Sequence, residues 1–296
     1  MKALIDIIQV LLSLFSKKQR ITKPAPEFYE ELPQRAQTSQ QRLLGVDNNG
    51  EEVYIDGDIS EEDLNHAKEQ FEIDKQQQLS KKIVCNGHNV EIDWEKTNIW
   101  TEPGALMCKS NQYKTVTGNR AQSIDKIVVH WDGCLSSKQC AKVLADRGLS
   151  AHFCIDNDGT IHQLMDTNHV GWHARGVNSK SIGIEISNAV YAKYAKKYKP
   201  ARPVFKKSIL HGKEFPLHLD FYKVQVDALK ELIKSICSFY NVPLEFPNHN
   251  GKLIRGVIDY RRFEGVMCHY HVTENKTDPA CLDLAKVIKE IKDEQE

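Results

Sequence analysis

A chain of 296 residues can bury a substantial core, as one large domain or two modest ones. Lys+Arg and Asp+Glu both total 40, so no global charge argues for a nucleic-acid partner. A mean hydropathy of -0.49 fits a soluble globular class, and eight cysteines without a CxxC pair read as reduced, partly buried thiols rather than a disulfide framework.

Residues Met1 to Arg20 place Lys2, Asp6, Gln9, Ser13 and Ser16 at steps of three or four, a narrow polar stripe on an otherwise apolar helix. The run is too short and interrupted for an ordinary transmembrane helix, and it lacks a small-residue cleavage site. Three readings stay open: an interfacial membrane helix, a helix packed on another subunit or domain, and an uncleaved export signal. Ile21 to Glu51, with Pro24, Pro26 and Pro33, reads as a linker. Ser60-Glu61-Glu62-Asp63 resembles a helix-start capping box, opening a helix with Leu64, Ala67 and Phe71 on one face; Gln76-Gln77-Gln78 reads as a solvated stretch. Val84, Val90, Ile92 and Trp94 around Asn86-Gly87 predict a hairpin, with His88 a turn residue.

The β-branched run Ile127-Val128-Val129 predicts a buried strand ended by Asp132-Gly133, with His130 at its end. A helix is expected over 136–149. Two strands should flank the Asn157-Asp158-Gly159 turn, with His152 a hydrogen-bonded core histidine and His162 structural or at the surface. Gly171-Trp172-His173-Ala174-Arg175-Gly176 reads as a loop. Ile182, Ile184 and Ile186 share one strand face while Glu185 points to the other, a costly place for a lone carboxylate unless something needs it. Asn188 to Asp220, rich in Lys, Tyr and Pro, reads as a solvated insertion, the alternative being a lip over a groove. Val224, Val226, Leu229, Leu232, Ile233 and Ile236 recur at helical spacing over 221–241. Leu253 to Phe263 reads as a surface loop with Arg255, Arg261 and Arg262, and 282–291 as a closing amphipathic helix.

Cys268-His269-Tyr270-His271 and the following Lys276 and Asp278 are the chain's most chemical stretch. Imidazole nitrogen and carboxylate oxygen suit Zn²⁺, and a catalytic zinc takes three protein ligands and keeps one position open. His269 and Asp278 can reach one ion if the loop folds back, and His130 is the best third candidate. His271, two residues beyond His269, is the rival ligand, and His269 is preferred. Cys268 is soft enough for zinc but, next to His269 in the chain, should point away from it.

The elements HWDG, SAHFCIDNDGTIHQL, GWHARG, SIGIEIS and CHYHVTENKTDP, in this order, resemble the zinc-dependent N-acetylmuramoyl-L-alanine amidases, which include phage endolysins, muropeptide-recycling amidases and peptidoglycan recognition proteins. The resemblance runs from Ile124 to the C-terminus. It implies an α/β fold, a central mixed β-sheet flanked by helices, here with an N-terminal helical and β extension. The expected division is 1–20, an amphipathic helix; 21–118, an extension; and 119–296, the catalytic domain. It further implies one Zn²⁺ on His130, His269 and Asp278, with Glu185 and Lys276 as the catalytic pair and Trp172 and His173 as substrate contacts beside the groove. Some phage members carry a tyrosine where this chain has Ala151 and lack the strand glutamate, which places the chain in the glutamate-using branch. The loop before Asp278 also lacks a Gly-Arg often found there.

The resemblance implies hydrolysis of the amide between N-acetylmuramic acid and L-alanine of peptidoglycan. Three functions follow as alternatives: a phage or prophage lysin, made in the host cytoplasm and acting on the wall; a cytoplasmic muropeptide-recycling amidase; and a non-catalytic peptidoglycan-binding module. The five intact polar residues speak against the third, and the long insertion and extension against the second. The lysin is the preferred reading, with residues 1–20 meeting a membrane surface or a protein partner.

Overall fold

The Ile127-Val128-Val129 run lies in the strand it predicts, and that strand is central to the sheet that carries the site. The structure, a computed structural model, describes residues 41–46, 52–56, 60–79, 81–205 and 207–295. In chain order the main elements are β1 (Gln41–Val46), β2 (Glu52–Asp56), α1 (Glu61–Leu79), β3 (Lys81–Cys85), β4 (His88–Ile92), β5 (Thr97–Ile99), β6 (Lys126–Trp131), α2 (Ser137–Asp146), β7 (Phe153–Ile155), β8 (Ile161–Gln163), β9 (Ser181–Ile186), α3 (Lys223–Tyr240), β10 (Gly265–Cys268) and α4 (Leu284–Asp293). The readings of residues 1–40, and of the Gln76–Gln78 side chains, lie outside the described residues. Among the described residues no helix is long and apolar enough to cross a membrane.

Six strands form one sheet in the order β10-β6-β9-β7-β8-β5. β10, β6, β9 and β7 run parallel, β8 is antiparallel to β7, and β5 is parallel to β8. The expected mixed sheet is therefore present. Because side chains alternate along a strand, each of the two central strands splits its residues between two layers. Ile127, Val129 and Trp131 of β6, with Ile182, Ile184 and Ile186 of β9, join the core formed with α3 and α4. Val128 turns to the opposite layer, with Ala174, Val177, Met267 and Val272. Register then does the positioning: Glu185 pairs with His130, so both side chains emerge side by side on that second face. The Asp132-Gly133 turn ties the two strand ends together, since the Asp132 carboxylate accepts from Cys134 N (2.8 Å) and Asn188 N (2.9 Å).

The helices follow the sequence pattern. Ser136 caps α2 by accepting from Gln139 N, and α3 buries Ala228, Leu229, Leu232, Ile233 and Ile236. α3 stops at Asn241, whose left-handed φ of 54° suits a short polar side chain. α4 supplies Leu284, Val287, Ile288 and Ile291. The Asn86-Gly87 hairpin forms with φ of 52° and 80°, the signature of a tight primed turn.

Three expectations change. β1 falls inside the segment read as a linker: with β2 and α1 it buries Leu44 against Leu64 and Ala67, with Val53, Ile55 and Phe71 half-buried around them. Ser60 caps α1 as read, its Oγ accepting from Asp63 N at 3.1 Å. β3, β4 and β5 belong to the same body as the later strands. Ile83, Cys85 and Ile92 sit in the main core, and the Gln163 side chain bonds both Val84 N (2.8 Å) and Val84 O (2.7 Å). The insertion over 188–220 is anchored rather than solvated. It buries Tyr198, Arg202, Leu210, His218 and Leu219, and the Arg202 guanidinium lies 4.5 Å from the ring centroids of both Tyr198 and Tyr222.

Candidate metal centre

β6 and β10 are adjacent and parallel, so their C-terminal ends open at the same edge. His130 is the next-to-last residue of β6, and β10 ends at Cys268, where the chain tightens into a 3₁₀ turn over His269–His271. The following loop folds back as expected, closed by Tyr270 N donating to Asp278 O at 3.2 Å. One carboxylate oxygen, Asp278 Oδ2, then lies 3.0 Å from His130 Nδ1 and 2.9 Å from His269 Nδ1. All three residues are buried, and their ligand atoms fall within 4.8 Å of one another. Zinc bonds of about 2.0–2.2 Å in a tetrahedron separate neighbouring ligand atoms by roughly 3.4 Å, a small adjustment from this spacing.

The electrostatics of the cluster are compatible with a cation. Burial, and then neighbouring His269, pushes His130 down to about 4, so its imidazole is neutral. Burial alone would raise Asp278, but its contacts with His130 and His269 more than offset this and hold it well below the usual carboxylate range. In their neutral forms the two imidazoles can each offer a lone pair, and the ionised carboxylate supplies the negative charge, so the three together form a donor set for a cation. A mixed nitrogen and oxygen donor set of this kind suits zinc.

Glu185 lies beside the three, with Oε1 3.9 Å from His130 Nδ1. Its Oε2 is buried without a hydrogen-bond partner among the described residues. Burial, then Asp278 and Asp132, drives the carboxyl well above its ordinary value, and the Lys276 charge pulls the other way. Lys276 thus acts on both Glu185 and His130 from the returning loop.

The sequence model of the N-acetylmuramoyl-L-alanine amidase family matches residues 120–281, more than half of the chain. The chain belongs to that family. Membership makes it a peptidoglycan amide hydrolase. Among solved structures it is similar to the endolysin N-acetylmuramoyl-L-alanine amidase LysCS from Clostridium intestinale, at 17% identity over 65% of this chain and 98% of that one, TM-score 0.39. It is also similar to AmpDh3 from Pseudomonas aeruginosa in complex with an anhydromuramic pentapeptide (24% identity, 63% and 66% covered, TM-score 0.38) and to Drosophila PGRP-LB (19%, 64% and 91%, TM-score 0.38). No curated protein sequence matches significantly.

The remaining polar residues of the amidase sort by what their nitrogens touch. In His271, Nδ1 accepts from Cys268 N (2.9 Å) and Nε2 donates to Ile254 O (2.7 Å), so neither nitrogen is free for a metal. Two steps along a strand would have kept His271 on the face of His269, but the strand has ended at Cys268 and two steps along a 3₁₀ turn rotate a side chain by roughly 240°. Cys268 is buried and pushed by burial up to about 12, a protonated thiol. His152 is the expected core histidine, accepting from Gly183 N and donating to His169 O, both at 3.0 Å. Trp172 is 36% exposed. His173 turns inward, with Nδ1 3.1 Å from His130 Nε2 and Nε2 3.3 Å from Ser181 Oγ.

His211 escaped the sequence reading. It sits at the tip of a hairpin within the insertion, with φ of 52°. Its N donates to Arg255 O (2.8 Å) and its Nε2 to Lys276 O (2.9 Å). A His-Gly pair announces a turn, but nothing in the sequence says which loop that turn will touch.

Proposed function

We propose that this amidase is a zinc-dependent lysin of phage or prophage origin, with His130, His269 and Asp278 as metal ligands, Glu185 as general base and Lys276 as oxyanion stabiliser. The observation that carries the reading is the convergence of two Nδ1 atoms on one Asp278 oxygen, within 3.0 Å, beside an unpartnered Glu185 oxygen. Zinc, when bound, lowers the pKa of water to about 7 and polarises a carbonyl oxygen. Glu185 holds the attacking water, takes its proton on a carboxylate oxygen and passes that proton to the departing L-alanine nitrogen. Lys276 is the side chain whose charge favours the ionised form of Glu185, and its ammonium donates to the developing oxyanion. Trp172 offers an exposed aromatic surface on which a sugar face can stack.

The lytic assignment is supported by the anchored insertion bordering the site and by the N-terminal residues before the catalytic body. In this reading the protein is made in a host cytoplasm and acts on the wall, with residues 1–20 meeting a membrane surface or a partner. The deciding experiment measures zinc content and amide cleavage of purified peptidoglycan for the wild type and His130→Ala. One zinc per chain, new L-alanine amino termini, and loss of both in the variant support the lysin. Cleavage of soluble muropeptide but not of intact sacculi supports recycling instead, and binding of peptidoglycan without zinc or cleavage supports a recognition module.

A further inference from the structure

His130 does not meet its neighbours symmetrically. Its Nδ1 faces Asp278, while its Nε2 points the other way, to His173 Nδ1 at 3.1 Å. Hydrogen positions follow from the far end of this chain. The Ser181 hydroxyl donates to Val177 O at 2.9 Å, which uses its single proton. Ser181 Oγ must then accept from His173 Nε2–H, 3.3 Å away. With its proton on Nε2, neutral His173 presents a bare Nδ1, and the partner that fits a bare nitrogen is a donor. His130 Nε2 therefore carries the hydrogen, and its Nδ1 is left as a lone pair.

We infer that His173 is a positioning residue: it accepts from His130 Nε2–H, fixes that tautomer, and so aims His130 Nδ1 at the metal. The inference rests on the zinc reading above and changes the expected role of His173 from substrate contact to an orienter of a ligand. Both of its ring nitrogens are engaged inside the protein, which leaves neither for a muropeptide. Outer partners of this kind set ring orientation and basicity of metal-bound imidazoles.

Gly183 explains how the ring gets there. A Cβ on Gly183 would lie 2.5 Å from His173 Cγ and 2.6 Å from Cδ2. The backbone of β9 does not demand glycine at this position, since Gly183 is not among the positive-φ residues. The glycine in SIGIE is there to make room, in the layer between Glu185 and the loop carrying Trp172, for the imidazole behind His130.

The test uses full-length wild type, His173→Ala, His173→Gln and Gly183→Ala. A glutamine oxygen can accept from His130 Nε2–H while its amide donates to Ser181, so it is the rescuing variant. Zinc affinity is read by competition with a chromogenic chelator. We expect about 10–100-fold weaker binding for His173→Ala, recovery of most of it by His173→Gln, and a loss for Gly183→Ala. ¹⁵N spectra of the zinc form should show His173 unprotonated at Nδ1 and scalar-coupled across a hydrogen bond to His130 Nε2–H. Unchanged zinc affinity in His173→Ala, with a rise confined to KM for muropeptide, would overturn the inference in favour of a substrate contact. A proton on His173 Nδ1 in the wild type would overturn it too, whether or not the alanine variant folds. Failure of the wild type to take up zinc would mark the metal reading, not the relay alone, as the error.

Discussion

His152 and His271 lie as deep in the protein as His130 and His269, yet the two pairs are wired in opposite ways. Each nitrogen of His152 and His271 is matched to a backbone N–H or C=O. His130 and His269 instead converge, each directing Nδ1 at the same Asp278 carboxylate oxygen. Burial alone does not distinguish a structural imidazole from a ligand. The distinction is where the nitrogens point: to separate backbone groups in one pair, to a single shared carboxylate in the other. The first pair holds backbone segments together; the second gathers a possible donor set for a cation.

The contrast can be broken or sharpened by substitution. The largest effect is expected at Glu185, the unpartnered carboxylate beside the converging pair. Glu185→Ala should retain zinc and lower kcat by about 10²–10⁴, checked by metal analysis alongside muropeptide turnover; activity near wild type would remove Glu185 as the base. Lys276→Ala should follow, with kcat down about 10²–10³ and zinc content unchanged.

At the satisfied pair the effect should move from chemistry to stability. His271→Ala strands Cys268 N–H and Ile254 C=O in the interior, each at a cost of roughly 1–3 kcal/mol. Denaturant unfolding should register this while zinc affinity stays near wild type. The same pair gives a pH signature. Burial pushes His271 down to about 4 and, with Arg120 adding to it, His152 down to about 3, whereas the unfolded chain titrates near 6.5. Protons therefore bind the unfolded chain first, so the stabilisation present above pH 6.5 is lost as pH falls toward these folded values. Urea midpoints across that window should fall with acid, less steeply in His271→Ala. The smallest effect is expected for removal of residues 1–18: cleavage of soluble muropeptide should be unchanged, and a large loss would make that segment part of the catalytic body.

Much of this was legible because strong local signals agree with tertiary demands. The apolar run before His130, the two turn-flanked hairpins and the stripe of 221–241 each announce an element that the core then uses. β1 was not legible because Leu44 is its one fully buried side chain, too little for a period, and its partner Leu64 lies on a helix further on. β5 is three residues long; its place in the sheet is set by pairing with β8, which no local pattern records. At the site, residue types suggested the ligand trio, and the family resemblance ordered it. The place of His173 was hidden for a different reason: a loop histidine beside an exposed tryptophan reads as a surface group, and only the missing side chain at Gly183 lets it turn inward.

The thiols described as buried have one more use. All eight cysteines are free and buried, and burial pushes those at 85, 108, 237 and 268 up to about 12. Alkylating reagents attack thiolates, so at neutral pH each of these groups is silent until its surroundings open. They are spread over the β3–β4 hairpin, the segment before β6, α3 and the end of β10 beside the ligand loop. Labelling rates read site by site would therefore time local and global opening separately. Bound metal should slow the clock at Cys268 more than the one at Cys85, so the native chain carries its own reporters of where the ligand tightens it.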